Sequence, residues 1–178
     1  SITHPFSRII GAPIIFDDLR QELVSARHHF AYRQRCMYCD IIRQESRDGV
    51  RVVMQTSHFL VYTPYASRHP FETWLVPATH CHRFERSSTP EMMDLARTLQ
   101  QTVRRLHAIQ SGVPLDFTFH TAPNETMRLR DDEWWTLGDD YHWHIEIAPD
   151  SPAWETVGGF AVNPVPPEVA AKQLREEI

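Results

Sequence analysis

No apolar run in these 178 residues approaches the roughly 18 that a membrane-spanning helix needs, and the N-terminus lacks a signal-peptide pattern. The expectation is a cytoplasmic protein with no membrane partner. Basic residues are not in excess either. Eighteen Lys and Arg against 23 Asp and Glu give a net charge of −5, which leaves no electrostatic footprint for nucleic acid. Three cysteines cannot all pair internally, so a disulfide framework is not expected. No internal repeat or low-complexity segment is present. The first residue is Ser1 rather than methionine, as expected of a chain processed, tagged or cut from something longer.

What is present is enough for a core. At 42% hydrophobic, a chain of this length should fold as one domain or slightly more. Residues 1–16 read as an apolar strand, and 17–30 as a helix with acidic residues in its first turn and Leu19, Leu23 and Ala26 on one face. A CMYC turn follows, then strands over 51–55, 58–64 and 72–80, the last running out at Pro77. Ser88 and Glu91 form a capping box, with Pro90 in the first turn of a helix of about twenty residues. Its apolar face is Met92, Leu95, Leu99, Val103, Leu106 and Ile109. Strands at 116–122 and 141–148 flank a polar loop, and PPEVAAKQLREEI is a proline-started terminal helix. The sum is an α+β fold, an antiparallel sheet with helices packed on it.

The chemistry concentrates in two places. In YHWHIEI, residues 141–147, a period of two puts His142, His144 and Glu146 on one face of a strand whose other face is apolar. Cys36 and Cys39 are spaced to hold one soft metal ion from a single turn, or to act as a redox pair. The redox reading needs the motif to open a helix in a βαβ context, and the strands expected next argue against it. Zinc would want two more ligands. His80, at the end of a strand, and His142 would complete a closed Cys2His2 site with Cys36 and Cys39; an ordinary surface or core place is the other reading for both histidines. His28, His29, His69, His82 and His107 read as surface residues, and Cys81 as a spare thiol.

The segments HPFSRIIGAPI, CMYCDII, PYASRHPFETWLVPATH, FHTAP, YHWHIEIAP and NPVPPEVAAKQLR occur in the order found in galactose-1-phosphate uridylyltransferases and ADP-glucose phosphorylase-like proteins. The chain resembles the second of the two related repeats of that family, which belongs to the histidine-triad superfamily, preceded by the last strand of the first repeat. The resemblance implies that residues 1–30 correspond to the end of the first repeat and 31–178 to a histidine-triad-like zinc domain. It implies a zinc ion on Cys36, Cys39, His80 and His142. Relatives without those cysteines imply an alternative set, Glu22, His120, His142 and His144, with iron as another ion for it.

Family members transfer a nucleotidyl group through a histidine of an H-P-H motif, whose free nitrogen lone pair attacks the α-phosphorus. Here that position is Phe6, in His4-Pro5-Phe6-Ser7-Arg8, and a phenyl ring forms no such adduct. Three readings follow. His144, the counterpart in the second repeat, takes over as nucleophile in a nucleotidyltransferase acting on a nucleoside diphosphate sugar or sugar 1-phosphate. Or two chains pair as a homodimer that imitates the two-repeat unit. Or the chain is a non-catalytic, zinc-stabilised module that binds a nucleotide, a sugar phosphate or a partner. A histidine-triad hydrolase is a further, weaker alternative. By the same resemblance Arg8, Glu155 and Asn163 are expected at the substrate. Arg68 reads as a surface charge or a phosphate clamp, and Glu72 as a brace for a ligand histidine or a strand end.

Overall fold

The computed structural model describes residues 14–124, 135–150, 156–157 and 160–177. Five antiparallel strands form the central sheet: β1 (Val52–Gln55), β2 (Phe59–Tyr62), β3 (Thr73–Pro77), β4 (Leu115–His120) and β5 (His144–Pro149), in the order β1-β2-β3-β5-β4. Residues 156–157 and 160–161 pair as a separate small ladder, β6 with β7. The helices are α1 (Asp17–Arg33), α2 (Met37–Asp48), α3 (Thr89–Ile109), the short α4 (Leu137–Asp140) and α5 (Pro167–Glu176). This is the α+β class expected. The strand expected over 1–16 falls almost wholly outside the described residues.

Strand alternation divides the sheet's two faces. Phe59, Val61, Leu75, Ile145 and Ile147 are buried with Leu95 and Leu106 of α3 and Ala170, Ala171 and Leu174 of α5. The opposite face carries Leu60, Tyr62 and Val76, packed with Ile41 and Ile42 of α2. Register fixes what else lies on that second face. Trp74 pairs with Glu146, Thr118 with Glu146, and His120 with His144. The titratable residues of β5 therefore turn away from the α3–α5 core and towards α1 and α2.

Two elements differ from the sequence reading. CMYC is not followed directly by strands: Cys36 is the N-cap of the twelve-residue α2, which Gly49 ends in the left-handed region at φ 70°. Tyr38, Ile41, Ile42 and Glu45 recur at helical spacing and turn one side of α2 to the sheet. The motif therefore does open a helix, as a redox pair requires, but α2 lies between α1 and an antiparallel hairpin rather than in the βαβ unit of such a motif. In α3 the buried stripe is Leu95, Thr98, Thr102 and Leu106, rotated from the expected apolar face. Met92 is exposed. Threonine tolerates the interior there because the Thr102 hydroxyl donates to the Thr98 carbonyl at 2.8 Å.

The start of α3 follows the expectation closely. The Ser88 side chain accepts from the Glu91 amide, and Glu91 accepts from the Ser88 amide at 2.6 Å. The Ser88 backbone N–H holds the Glu91 carboxyl below its ordinary 4.5. A depressed carboxylate stabilises the fold above its unfolded pKa and loses that contribution as pH falls through the folded value. Ser88→Ala is expected to cost about 1 kcal/mol at neutral pH in urea unfolding. Because that backbone N–H survives the substitution, the Glu91 contribution is read instead in Glu91→Gln, whose deficit should shrink as pH drops below about 4.5, the value the carboxyl has when unfolded.

Candidate metal and nucleotidyl-transfer site

Three separate segments meet at the cysteine pair. Cys36 and Cys39 come from the first turn of α2, His80 from just beyond β3, and His142 from just before β5. One ligand atom from each of the four lies within 4.8 Å of the others. Cys39 Sγ is 3.4 Å from His80 Nδ1 and 3.7 Å from His142 Nδ1. The imidazoles are held from behind: His80 Nε2–H donates to the Gly138 carbonyl at 2.9 Å, and His142 Nε2–H to the Pro77 carbonyl at 3.0 Å. With the proton on Nε2 in both rings, both Nδ1 lone pairs face the sulfurs.

The electrostatics match that arrangement. The Cys36 thiol donates to Cys39 and holds it well below the usual thiol range, against burial, with His142 and His80 adding to the effect. Cys36 moves the opposite way, raised by that same bond and by burial. Burial lowers His142 and so favours its neutral, ligating form. His80 is raised, first by its contact with Cys39. One thiolate, a second thiol and two imidazoles whose Nδ1 atoms face them are a donor set that fits a tetrahedral soft ion, which would displace the protons that Cys36 and His80 retain without it.

A second group sits on the same face of the sheet. Glu22, His120, His144 and Glu146 also offer ligand atoms within 4.8 Å of one another. Glu22 Oε2 accepts from His120 Nδ1 at 2.9 Å and from the Tyr141 hydroxyl at 3.2 Å. His144 is fully buried, with Tyr38, Trp74 and His120 ring centroids all about 4.9 Å or less away. Its Nδ1–H donates to the His142 carbonyl at 3.1 Å, so Nε2 carries the lone pair. That Nε2 has no hydrogen-bond partner among the described residues and lies 3.8 Å from both Glu22 Oε2 and Glu146 Oε1. A buried lone pair facing two carboxylates is unfavourable until a cation enters between them. The residues fit one.

The alternative ligand set is not brought together as expected: by distance His142 groups with the cysteines, and Glu146 groups with Glu22, His120 and His144. The period-two pattern contained the signal for Glu146, since it shares a face with His144. The two sets are not mutually exclusive, because no residue is common to them.

Other expected site residues fall elsewhere. Arg68 is an exposed residue, as the surface-charge reading expects, and its guanidinium is paired with Glu146 and with Glu72 Oε1 at 3.2 Å. Glu72 touches no ligand histidine. It accepts from the backbone amides of Arg68 and His69 and from the Trp74 indole at 3.0 Å, fastening the turn before β3. Asn163 donates to the carbonyls of Ser67 and His69 and accepts from the Val165 amide, so both ends of its amide serve the backbone. His82 is buried rather than exposed. Arg8, Phe6 and Glu155 lie outside the described residues.

An antiparallel sheet of this order, with a buried His-x-His-x-Glu strand between two groups of potential metal ligands, defines a histidine-triad-like domain. The chain belongs to the galactose-1-phosphate uridyl transferase C-terminal domain family, whose model matches residues 22–177. It is 26% identical over 99% of its length to an ADP-glucose phosphorylase from Arabidopsis thaliana, and 27% over 99% to a galactose-1-phosphate uridylyltransferase from Thermotoga maritima. It covers 48% and 55% of those proteins, so it spans about half the length of the curated relatives it matches. Among solved structures, a uridylyltransferase mutant superposes with a TM-score of 0.82 at 24% identity, over 98% of this chain and 57% of that one. A zinc-bound histidine triad family protein from Mycobacterium smegmatis shares the fold at TM-score 0.53 and 15% identity, over 79% and 90% of the two chains.

Proposed function

We propose that this chain is a metal-bearing nucleotidyltransferase domain acting on a nucleoside diphosphate sugar or sugar 1-phosphate. The observation that carries the reading is the pair of ligand groups flanking one His-x-His-x-Glu strand in a member of this family. In this reading Cys36, Cys39, His80 and His142 hold zinc. Four protein ligands close that site, so the ion supplies rigidity and no open coordination position. Glu22, His120, His144 and Glu146 hold a second ion, zinc or iron, to which carboxylate and imidazole ligands are suited. The His142 carbonyl links the two, because it accepts the Nδ1 proton of His144 and so fixes which nitrogen His144 presents.

In nucleotidyl transfer by the family route, an imidazole nitrogen forms a bond to the α-phosphorus as the bond from that phosphorus to the bridging oxygen breaks. The sugar 1-phosphate leaves with the bond's electrons, and an incoming phosphate oxygen then displaces the imidazole. His144 as that nucleophile would have to emerge from complete burial. The geometry better supports it as a ligand and positioning group. That same burial favours a second reading, a metal-stabilised module that binds a nucleotide or sugar phosphate without turnover.

The readings separate on incubation with α-labelled UDP-glucose or ADP-glucose. Transfer through this chain predicts an acid-labile labelled histidine; its loss in His144→Ala with metal content intact would make His144 the nucleophile rather than a ligand. Binding without turnover predicts saturable retention of unmodified nucleotide sugar and no label. Metal content is read independently: His120→Ala should lower bound metal by about one equivalent per chain and leave the Cys2His2 ion in place.

A further inference from the structure

We infer that Glu72 is a positioning residue for the second ligand group, setting through Arg68 and Trp74 how Glu146 and His144 face an ion. This role rests on the reading of Glu22, His120, His144 and Glu146 as an ion site and adds a residue outside it. Glu72 is only 1% exposed, and both of its oxygens are engaged. Oε2 accepts from the backbone amides of Arg68 and His69, at 2.5 and 3.3 Å, which fastens the turn. Oε1 accepts from the Arg68 guanidinium at 3.2 Å and from the Trp74 indole at 3.0 Å. Both of those donors reach on to the ligands.

The same Arg68 nitrogen pairs with Glu146 Oε2. The carboxylate it holds spans both imidazoles, with Oε1 3.8 Å from His144 Nε2 and Oε2 3.9 Å from His120 Nε2. The Trp74 ring stacks on His144, 4.9 Å between centroids and 21° between planes. Tethered at Nε1, the indole cannot swing off that face, so the plane of His144 is held while the His142 carbonyl holds its Nδ1–H. The turn itself is fixed. Phe71 adopts the left-handed region at φ 62°, uncommon for a bulky residue, with its ring buried in the α3–α5 core. Asn163 braces the turn through the Ser67 and His69 carbonyls. One buried carboxylate thus relates a rigid turn and β3 to two ligands on β5.

Variants of the full chain are loaded with zinc and dialysed against graded chelator, and metal per chain is counted. The ion followed is the one that His120→Ala lacks. Arg68→Met cuts the link to Glu146 but leaves both backbone amides on Glu72. Removing a positive charge would by itself tighten a cation's binding, and with the Arg68 side chain 52% exposed that effect is screened. Positioning gives the opposite sign: Arg68→Met should weaken the ion about 10- to 100-fold, with partial rescue in Arg68→Lys. Trp74→Phe, which keeps a ring over His144 without an N–H for Glu72, should weaken it too, as should Glu72→Gln. All should keep the Cys2His2 ion. An affinity unchanged or tightened in Arg68→Met, or unchanged in Trp74→Phe or Glu72→Gln, would overturn the role and leave the ion site standing. So would loss of both ions together, which is the mark of a turn fastener. A parent chain with no ion for His120→Ala to remove would overturn the ion site, and this role with it.

Discussion

Cys39→Ser is expected to strip the ion from the Cys2His2 group and to lower the melting temperature by about 10–20 °C, which corresponds to about 5 kcal/mol for a chain of this size. The size of the effect follows from what the thiolate joins. Cys39 is separated from His80 by 41 residues and from His142 by 103, so one ion held there would close two long loops. It would also tie the start of α2 to the exit of β3 and the entry of β5. Serine keeps the volume but neither ionises near neutral pH nor matches a soft ion. Cys81→Ser is the control, since Cys81 Sγ donates to the Arg83 carbonyl and lies outside the group. The measurement is metal per chain beside thermal unfolding. If the parent chain, purified without chelator, carries no metal and Cys39→Ser melts with it, the Cys2His2 site is not a metal site.

Arg51→Met is expected to destabilise the protein by about 3–5 kcal/mol in urea unfolding, because it leaves the buried Glu45 carboxylate without its counter-charge. Arg51 is 11% exposed at its side chain and Glu45 5%, so solvent compensates little. The same guanidinium reaches Glu168 at 2.9 Å, so the substitution also loosens α5 from the β1 end of the sheet. Adding Glu45→Leu to Arg51→Met should recover most of the loss, since the double replacement removes the stranded charge. No recovery would mean that Arg51 acts through its contacts with α5 and Tyr65 rather than through Glu45.

Much of the fold was legible because its signals are local. The Ser88–Glu91 capping box, the strand alternation of 58–64 and 72–77, and the proline start of α5 each specify an element from within a few residues. Period two was also enough to put His144 and Glu146 on one face, although His142, expected with them, lies before β5 and turns to the cysteines. Other features depend on partners distant in sequence. The helical spacing in CDIIRQES is short and overlaps the metal-type motif, and it is the packing on Leu60, Tyr62 and Val76 that makes it a helix. Which acid joins His120 and His144 was not legible either. Strand register pairs His120 with His144, while His142 lies before the first residue of β5 and turns to the cysteines. Burial of His144 likewise comes from Tyr38 and Trp74, one from α2 and one from β3.

The carbonyl behind His80 belongs to Gly138, on a helix only four residues long. If that single turn swings away, the ring loses its brace and is free to flip, and the grip on an ion held there would slacken. The rate at which a chelator extracts such an ion would then gauge how firmly α4 is seated, and loosening α4 should speed extraction before the rest of the fold responds.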